Sequence, residues 1–106
     1  MKNKKGEKMK YNDYAANRCF KCFQRNEIRL GFKHKIPAKN IELFADPAFT
    51  SNQMKQLRIA FEHSLKAEEV SVFAKPEIDT AIMSQIRNDF EHGATVEQVK
   101  EKYNIK

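Results

Sequence analysis

Ile28-Arg29-Leu30-Gly31-Phe32-Lys33-His34 returns as Leu57-Arg58-Ile59-Ala60-Phe61-Glu62-His63 and again as Ile86-Arg87-Asn88-Asp89-Phe90-Glu91-His92, each time 29 residues further along. All three histidines of the chain fall in this register, and Phe44-Ala45-Asp46-Pro47 recurs at the same spacing as Phe73-Ala74-Lys75-Pro76. A fixed period of this length marks one supersecondary unit copied along the chain, which stacks its neighbours to complete a core. Such arrays present binding surfaces rather than catalytic clefts.

Around the heptapeptide the apolar period is helical. Met54, Leu57, Phe61 and Leu65 lie three or four apart, as do Ile82, Met83, Ile86 and Phe90, so each unit contains one long amphipathic helix. Thr50 or Ser51 is placed to cap the second copy, with Gln53 completing a capping box, and Asp79 or Thr80 to cap the third. Each long helix should end near Lys35, Ser64 or Gly93 and be followed by a shorter one. The second helices hold Ile41, Leu43 and Phe44; Val70, Val72 and Phe73; and Val96, Val99 and Tyr103. Pro37 suits a first helical position, Thr95 with Gln98 forms another capping box, and Pro47 and Pro76 close the first two short helices. Tyr14-Ala15 followed by Phe20 echoes Phe44-Ala45 followed by Phe49, so a half unit precedes the first full one. The fold class is therefore all-α: a small superhelical array of two-helix repeats, a half unit plus three units, with about six to seven helices. Residues 1–10 form a basic arm, and residues 11–106 one repeat domain with units at about 24–52, 53–81 and 82–106.

The two ends of the array depart from the repeat. Asn88 and Asp89 stand where the second copy has Ile59 and Ala60, which gives the last unit the polar outer face of a terminal cap. At the other end Arg25 replaces Met54 and Met83. The net charge of +6 is polarised in the same sense: residues 1–35 carry eleven Lys or Arg and three acids, whereas residues 65–106 carry six and eight. An acidic partner is thus met by the first third. Lys21, Arg25, Arg29 and Lys33 recur every four residues as one basic stripe, and with Arg18, Lys35, Lys8 and Lys10 they are the candidate nucleic-acid or partner-binding residues.

Other chemistry finds little support. The three histidines sit one per unit, and helices pack about 8–10 Å apart, too far for one zinc ion with ligands at about 2.0–2.1 Å. Each imidazole is expected instead to bond orphan carbonyls at the end of its helix. Cys19-Phe20-Lys21-Cys22 has the spacing of half a zinc site but no second pair, so two buried or half-buried thiols in a helix are expected. Arg29, Arg58 and Arg87 border the apolar stripe, where each can pack its stem on a neighbour and bond a helix-end carbonyl or a carboxylate such as Asp46. No nucleophile and base arrangement or phosphate-cradling glycine loop is present, so neither an enzyme nor a cofactor or metal is expected, and no apolar run reaches the ~20 residues of a membrane span. The basic start leads into no apolar segment, which places the protein in the cytoplasm.

Gln53-Met54-Lys55-Gln56-Leu57-Arg58-Ile59-Ala60-Phe61, with Phe44-Ala45-Asp46-Pro47-Ala48-Phe49 upstream, resembles the short helical repeats of small proteins of bacterial phages and conjugative elements, which share a QM-x-x-I-R-x-G-L core and a Y-A-x-P-x-F connector. The resemblance spans about residues 14–103 and departs from the pattern at Arg25-Asn26 and at Tyr14 to Phe20, where the connector has no proline. It implies an accessory role in a mobile element, regulating the element or inhibiting host defence in the manner of anti-CRISPR proteins. The expectation is a non-enzymatic protein that binds nucleic acid, or a nucleic-acid-handling complex such as a host defence nuclease, through its basic first third. Two alternatives are a protein-interaction module without nucleic-acid contact and a helix-turn-helix regulator. In the second, Ile82–Glu91 and Val96–Tyr103 would be the paired helices, although the second of them presents a nearly neutral surface.

Overall fold

The computed structural model describes Tyr11 and residues 20–106, and among these it is entirely helical. Three twelve-residue helices, α1 (Cys22–Lys33), α3 (Ser51–Glu62) and α5 (Thr80–Glu91), alternate with shorter ones, α2 (Ala38–Ile41), α4 (Ala67–Phe73) and α6 (Val96–Tyr103). The long helices stack in chain order, α1 on α3 and α3 on α5, and each short helix packs on the long helix before it. The α2 helix is only one turn, because after Ile41 the chain passes through turns as far as Phe44. No described helix is long and apolar enough to cross a membrane.

Both ends of the long helices follow from the repeat. Thr50 caps α3, its side chain accepting from the Gln53 N–H while Gln53 Oε1 accepts from the Thr50 N–H. Asp79 caps α5, and Thr95 with Gln98 builds the same box on α6. At the C-termini the caps are His34, His63 and His92, and the next residue turns left-handed: Lys35 at φ 63°, Ser64 at φ 70° and Gly93 at φ 93°. The N–H groups of Ile36, Leu65 and Ala94 then return to the carbonyls of Gly31, Ala60 and Asp89, which closes a Schellman motif in every copy.

Phe44, Phe73, Ile28, Ile41, Met54, Leu57, Met83, Ile86, Val70 and Val99 are fully buried between the two helical layers. An aromatic contact joins each short-helix layer to the next long helix, with Phe44 against Phe61 and Phe73 against Phe90. Tyr11 meets Phe32 edge-on in the equivalent place. Phe32 is the register mate of Phe61 and Phe90, so Tyr11 extends this aromatic series ahead of the first full unit. The half-unit match at Tyr14 and Ala15, and the arm at 1–10, lie outside the described residues.

Two glutamines hold the connectors. Gln24 Nε2 donates to the carbonyls of Pro47 and Phe49, and 29 residues on Gln53 Nε2 donates to those of Pro76 and Ile78. Each buried amide therefore caps its own helix with its oxygen and clamps the start of the next unit with its nitrogen. The third copy has Ile82 at this position, half-buried against the core.

Only the third copy carries glycine at the left-handed position, where a side chain costs roughly 1–2 kcal/mol of backbone strain. Ser64→Gly and Lys35→Gly are each expected to raise stability by about 0.5–1 kcal/mol, the strain relief being partly offset by glycine's freedom in the unfolded chain. Urea unfolding checks this, and an unchanged or lowered midpoint would show that the two residues are unstrained.

Candidate nucleic-acid interface

The unit boundaries carry a repeated polar link. At the first boundary Arg58 Nε donates to Glu27 Oε1 of α1 at 2.8 Å, and its Nη1 donates to Glu62 one turn along α3. His34, at the end of α1, donates through Nδ1 to the same Glu62 oxygen. At the second boundary Arg87 Nε reaches Gln56 at 3.3 Å, its Nη1 reaches Glu91 at 2.6 Å, and His63 Nδ1 reaches Glu91 at 3.1 Å. An arginine, a glutamate four residues later and the histidine of the preceding unit thus form one motif used twice.

This geometry corrects several expectations. His34 and His63 bond the glutamate of the next unit rather than their own helix ends; His92 alone bonds a carbonyl, that of Asn88. Arg58 takes Glu27 and Glu62 instead of Asp46, whose Oδ1 accepts from the Ala48 N–H. Cys22 is exposed at the first residue of α1 rather than buried inside a helix, and Cys19 lies outside the described residues. Among the described residues no group of three or more His, Cys, Asp or Glu is placed to hold a metal ion.

Burial sets the electrostatics of the link. Arg58 is 7% exposed, and although burial alone would lower its pKa, the bonds to Glu27 and Glu62 outweigh it and hold the guanidinium above its usual value. Burial likewise pushes the Glu62 carboxyl up, but hydrogen bonds from His34 and Arg58 prevail and leave it below the ordinary glutamate range. Glu91 behaves the same way between His63 and Arg87. In the last unit Asp89 accepts from the Tyr103 hydroxyl at 2.6 Å and from Lys102 at 3.0 Å, and these bonds lower its pKa. The polar substitution seen in sequence therefore ties down the terminal helix α6.

The link also gives the basic stripe a position in the fold. Met54, Arg58 and Glu62 share one side of α3, and the Arg58–Glu27 bond shows that this side is turned to α1. Met83, Arg87 and Glu91 turn toward α3 in the same way. The matching residues of α1 are Arg25, Arg29 and Lys33, with Lys21 at the N-cap, and on the same side Phe32, seven residues after Arg25, meets Tyr11. Lys21, Arg29, Lys33 and the neighbouring Lys35 are exposed; Arg25 is half-buried and donates to the Phe20 carbonyl at 2.7 Å. The only acid of α1, Glu27, faces the opposite way and is engaged by Arg58. Lys21, Arg25, Arg29 and Lys33 thus follow one side of α1, with Lys35 in the turn just beyond its C-cap. Arg18, Lys8 and Lys10 lie outside the described residues.

The α5–α6 pair has the order of a helix-turn-helix, but Lys102 on its second helix is engaged by Asp89, and Glu97 and Glu101 flank the remaining Lys100. No protein-family profile, curated protein or solved structure matches the chain.

The three arginines are equivalent in sequence and unequal in position. Arg58→Ala leaves Glu27 and Glu62 without their cation and is expected to cost about 3 kcal/mol, whereas Arg29→Ala at the exposed end should change stability by less than about 0.5 kcal/mol. Equal losses for the two variants in chemical denaturation would contradict the assignment. Because Glu62 and Glu91 titrate lower folded than unfolded, their contribution is present above roughly pH 4.3, the ordinary glutamate value, and is lost as pH falls through the folded values. The Glu62→Gln, Glu91→Gln double variant should therefore show a flatter fall in stability below that pH than the parent. An identical acid limb in both proteins would overturn this.

Proposed function

We propose that the protein is a non-enzymatic binding protein that docks on nucleic acid, or on a complex handling nucleic acid, through its basic first third, and so blocks or regulates it. The single observation that carries this reading is the set of exposed cations, Lys21, Arg29 and Lys33, along the side of α1 turned away from α3. Where α3 and α5 bring Met54 and Met83 against the preceding helix, α1 has Arg25, and where they have Glu62 and Glu91 it has Lys33. On this side Phe32 is half-buried against Tyr11, and the exposed groups around it, Lys21, Arg29 and Lys33, suit wet, charge-dominated contact with phosphates. The charge distribution adds to it: residues 1–19 carry six basic and two acidic side chains, and residues 20–106 carry 14 and 12. The repeat resembles those of phage and conjugative-element proteins, which fits a cytoplasmic accessory role of this kind, including inhibition of a host defence nuclease.

Fluorescence anisotropy with labelled DNA and RNA across a salt series tests the reading. The affinity should fall with salt at about 0.9 log units per phosphate contact per log unit of salt on duplex DNA. Arg25, Arg29 and Lys33 changed together to Glu should abolish binding. Salt-independent affinity, or full binding by the triple variant, would refute the proposal.

A further inference from the structure

The interior boundaries show what an arginine at the heptapeptide's second position does when a unit precedes it. The Nε of Arg58 meets an acceptor from the unit before, Glu27, and its Nη1 meets the glutamate four residues later. Arg87 repeats this with Gln56 and Glu91. Arg29 stands in the same register on α1, but among the described residues its guanidinium is engaged through Nη2 alone, by Asn26 Oδ1 at 2.7 Å. Its Nε and Nη1 have no carboxylate partner among the described residues, and Lys33 occupies the place of the glutamate. Arg29 and Lys33 therefore lie one helical turn apart as two exposed cations at a position that the fold, elsewhere in the same chain, uses to seat an anion.

We infer that Arg29 and Lys33 form an anion seat for the backbone phosphates of duplex DNA, with Lys21 and Arg25 continuing the contact along α1. This deepens the nucleic-acid reading above and rests on it. The choice of a duplex follows from what the side of α1 lacks. Single strands are held by aromatic rings on which bases stack, and the aromatic pair on this side, Phe32 and Tyr11, is half-buried in mutual contact rather than exposed. The one large apolar side chain exposed on the helix, Phe23 at 74%, falls outside the four-residue series and lines a pocket with Lys21, Pro47, Ala48 and Phe49, away from Arg29 and Lys33. Cations at i and i+4 contact phosphates without reading bases, so the seat gives affinity and orientation and no sequence preference.

The register supplies a discriminating variant. Lys33→Glu recreates the Arg58–Glu62 and Arg87–Glu91 arrangement on α1, so the new carboxylate should engage Arg29 internally. Binding of the full-length protein to a short generic DNA duplex is then compared among the parent, Lys33→Glu and the Arg29→Ala, Lys33→Ala double variant, with thermal melts run alongside. The inference expects unchanged or slightly raised melting for Lys33→Glu with an affinity loss of roughly tenfold or more, and a salt slope lower by about 1.8 for the double variant, two contacts at about 0.9 each. Parental affinity and slope in both variants would overturn the seat while leaving nucleic-acid binding to the other basic residues. Binding of single strands but not duplex would overturn the duplex assignment, and failure of the parent to bind any nucleic acid would overturn both the seat and direct nucleic-acid docking, leaving only docking on a complex that handles nucleic acid.

Discussion

A guanidinium enclosed between two packed helices must be surrounded by acceptors, and Arg58 is so enclosed, with Glu27 on one side and Glu62 on the other. Meeting that requirement fixes how α3 sits on α1. Its Nε must find a carboxylate of the preceding unit while its Nη1 finds one on its own helix, and Glu62 in turn must accept from His34 at the end of α1. Apolar packing of Leu57, Met54 and Ile28 supplies most of the driving force for the stack, but apolar contacts tolerate sliding. The directional link between charged groups does not, so it selects one relative position of the two helices. The second boundary repeats the arrangement with an amide, Gln56, in place of Glu27, and Arg87 there is more exposed, its side chain at 18% against 8% for Arg58.

The same link differs at both ends. In the first described unit Lys33 stands where the others have the glutamate that reaches back to a histidine, and in the third unit His92 bonds a carbonyl of its own helix. Asp89 at the trailing end is drawn into the body by Tyr103 and Lys102. On α1, by contrast, Lys21, Arg29 and Lys33 are exposed. Copies of one sequence motif are thereby placed differently, Arg58 and Arg87 engaged across unit boundaries and Arg29 exposed.

Much of this was legible in the sequence because it is local or periodic. The capping boxes at Thr50 and Thr95, the helix ends at Lys35, Ser64 and Gly93 and the apolar stripes depend on residues within a few positions of one another, and the 29-residue period carries them from copy to copy. The basic stripe on α1 was readable from its four-residue spacing, but its location on the side turned away from α3 was not. That location depends on which side of each long helix meets its neighbour, and the Arg58–Glu27 pair is what reveals it. The inter-unit bonds span 31 residues for the arginines and 28 for the histidines, so neither matches the repeat period, and no linear pattern marks them. Gln53 was likewise visible only as a cap residue, and Gln24 not at all, because the carbonyls they clamp are brought to them by the path of the following connector.

The claim that the polar link sets the register of the stack is tested most directly by a double-mutant cycle on Glu27 and Arg58, using Gln at the first position and Met at the second, with stability measured by urea unfolding. A direct, buried charge pair across the boundary predicts a coupling energy of about 1–3 kcal/mol. A coupling within about 0.3 kcal/mol of zero, the range of independent sites, would contradict it and leave apolar packing alone to position the helices.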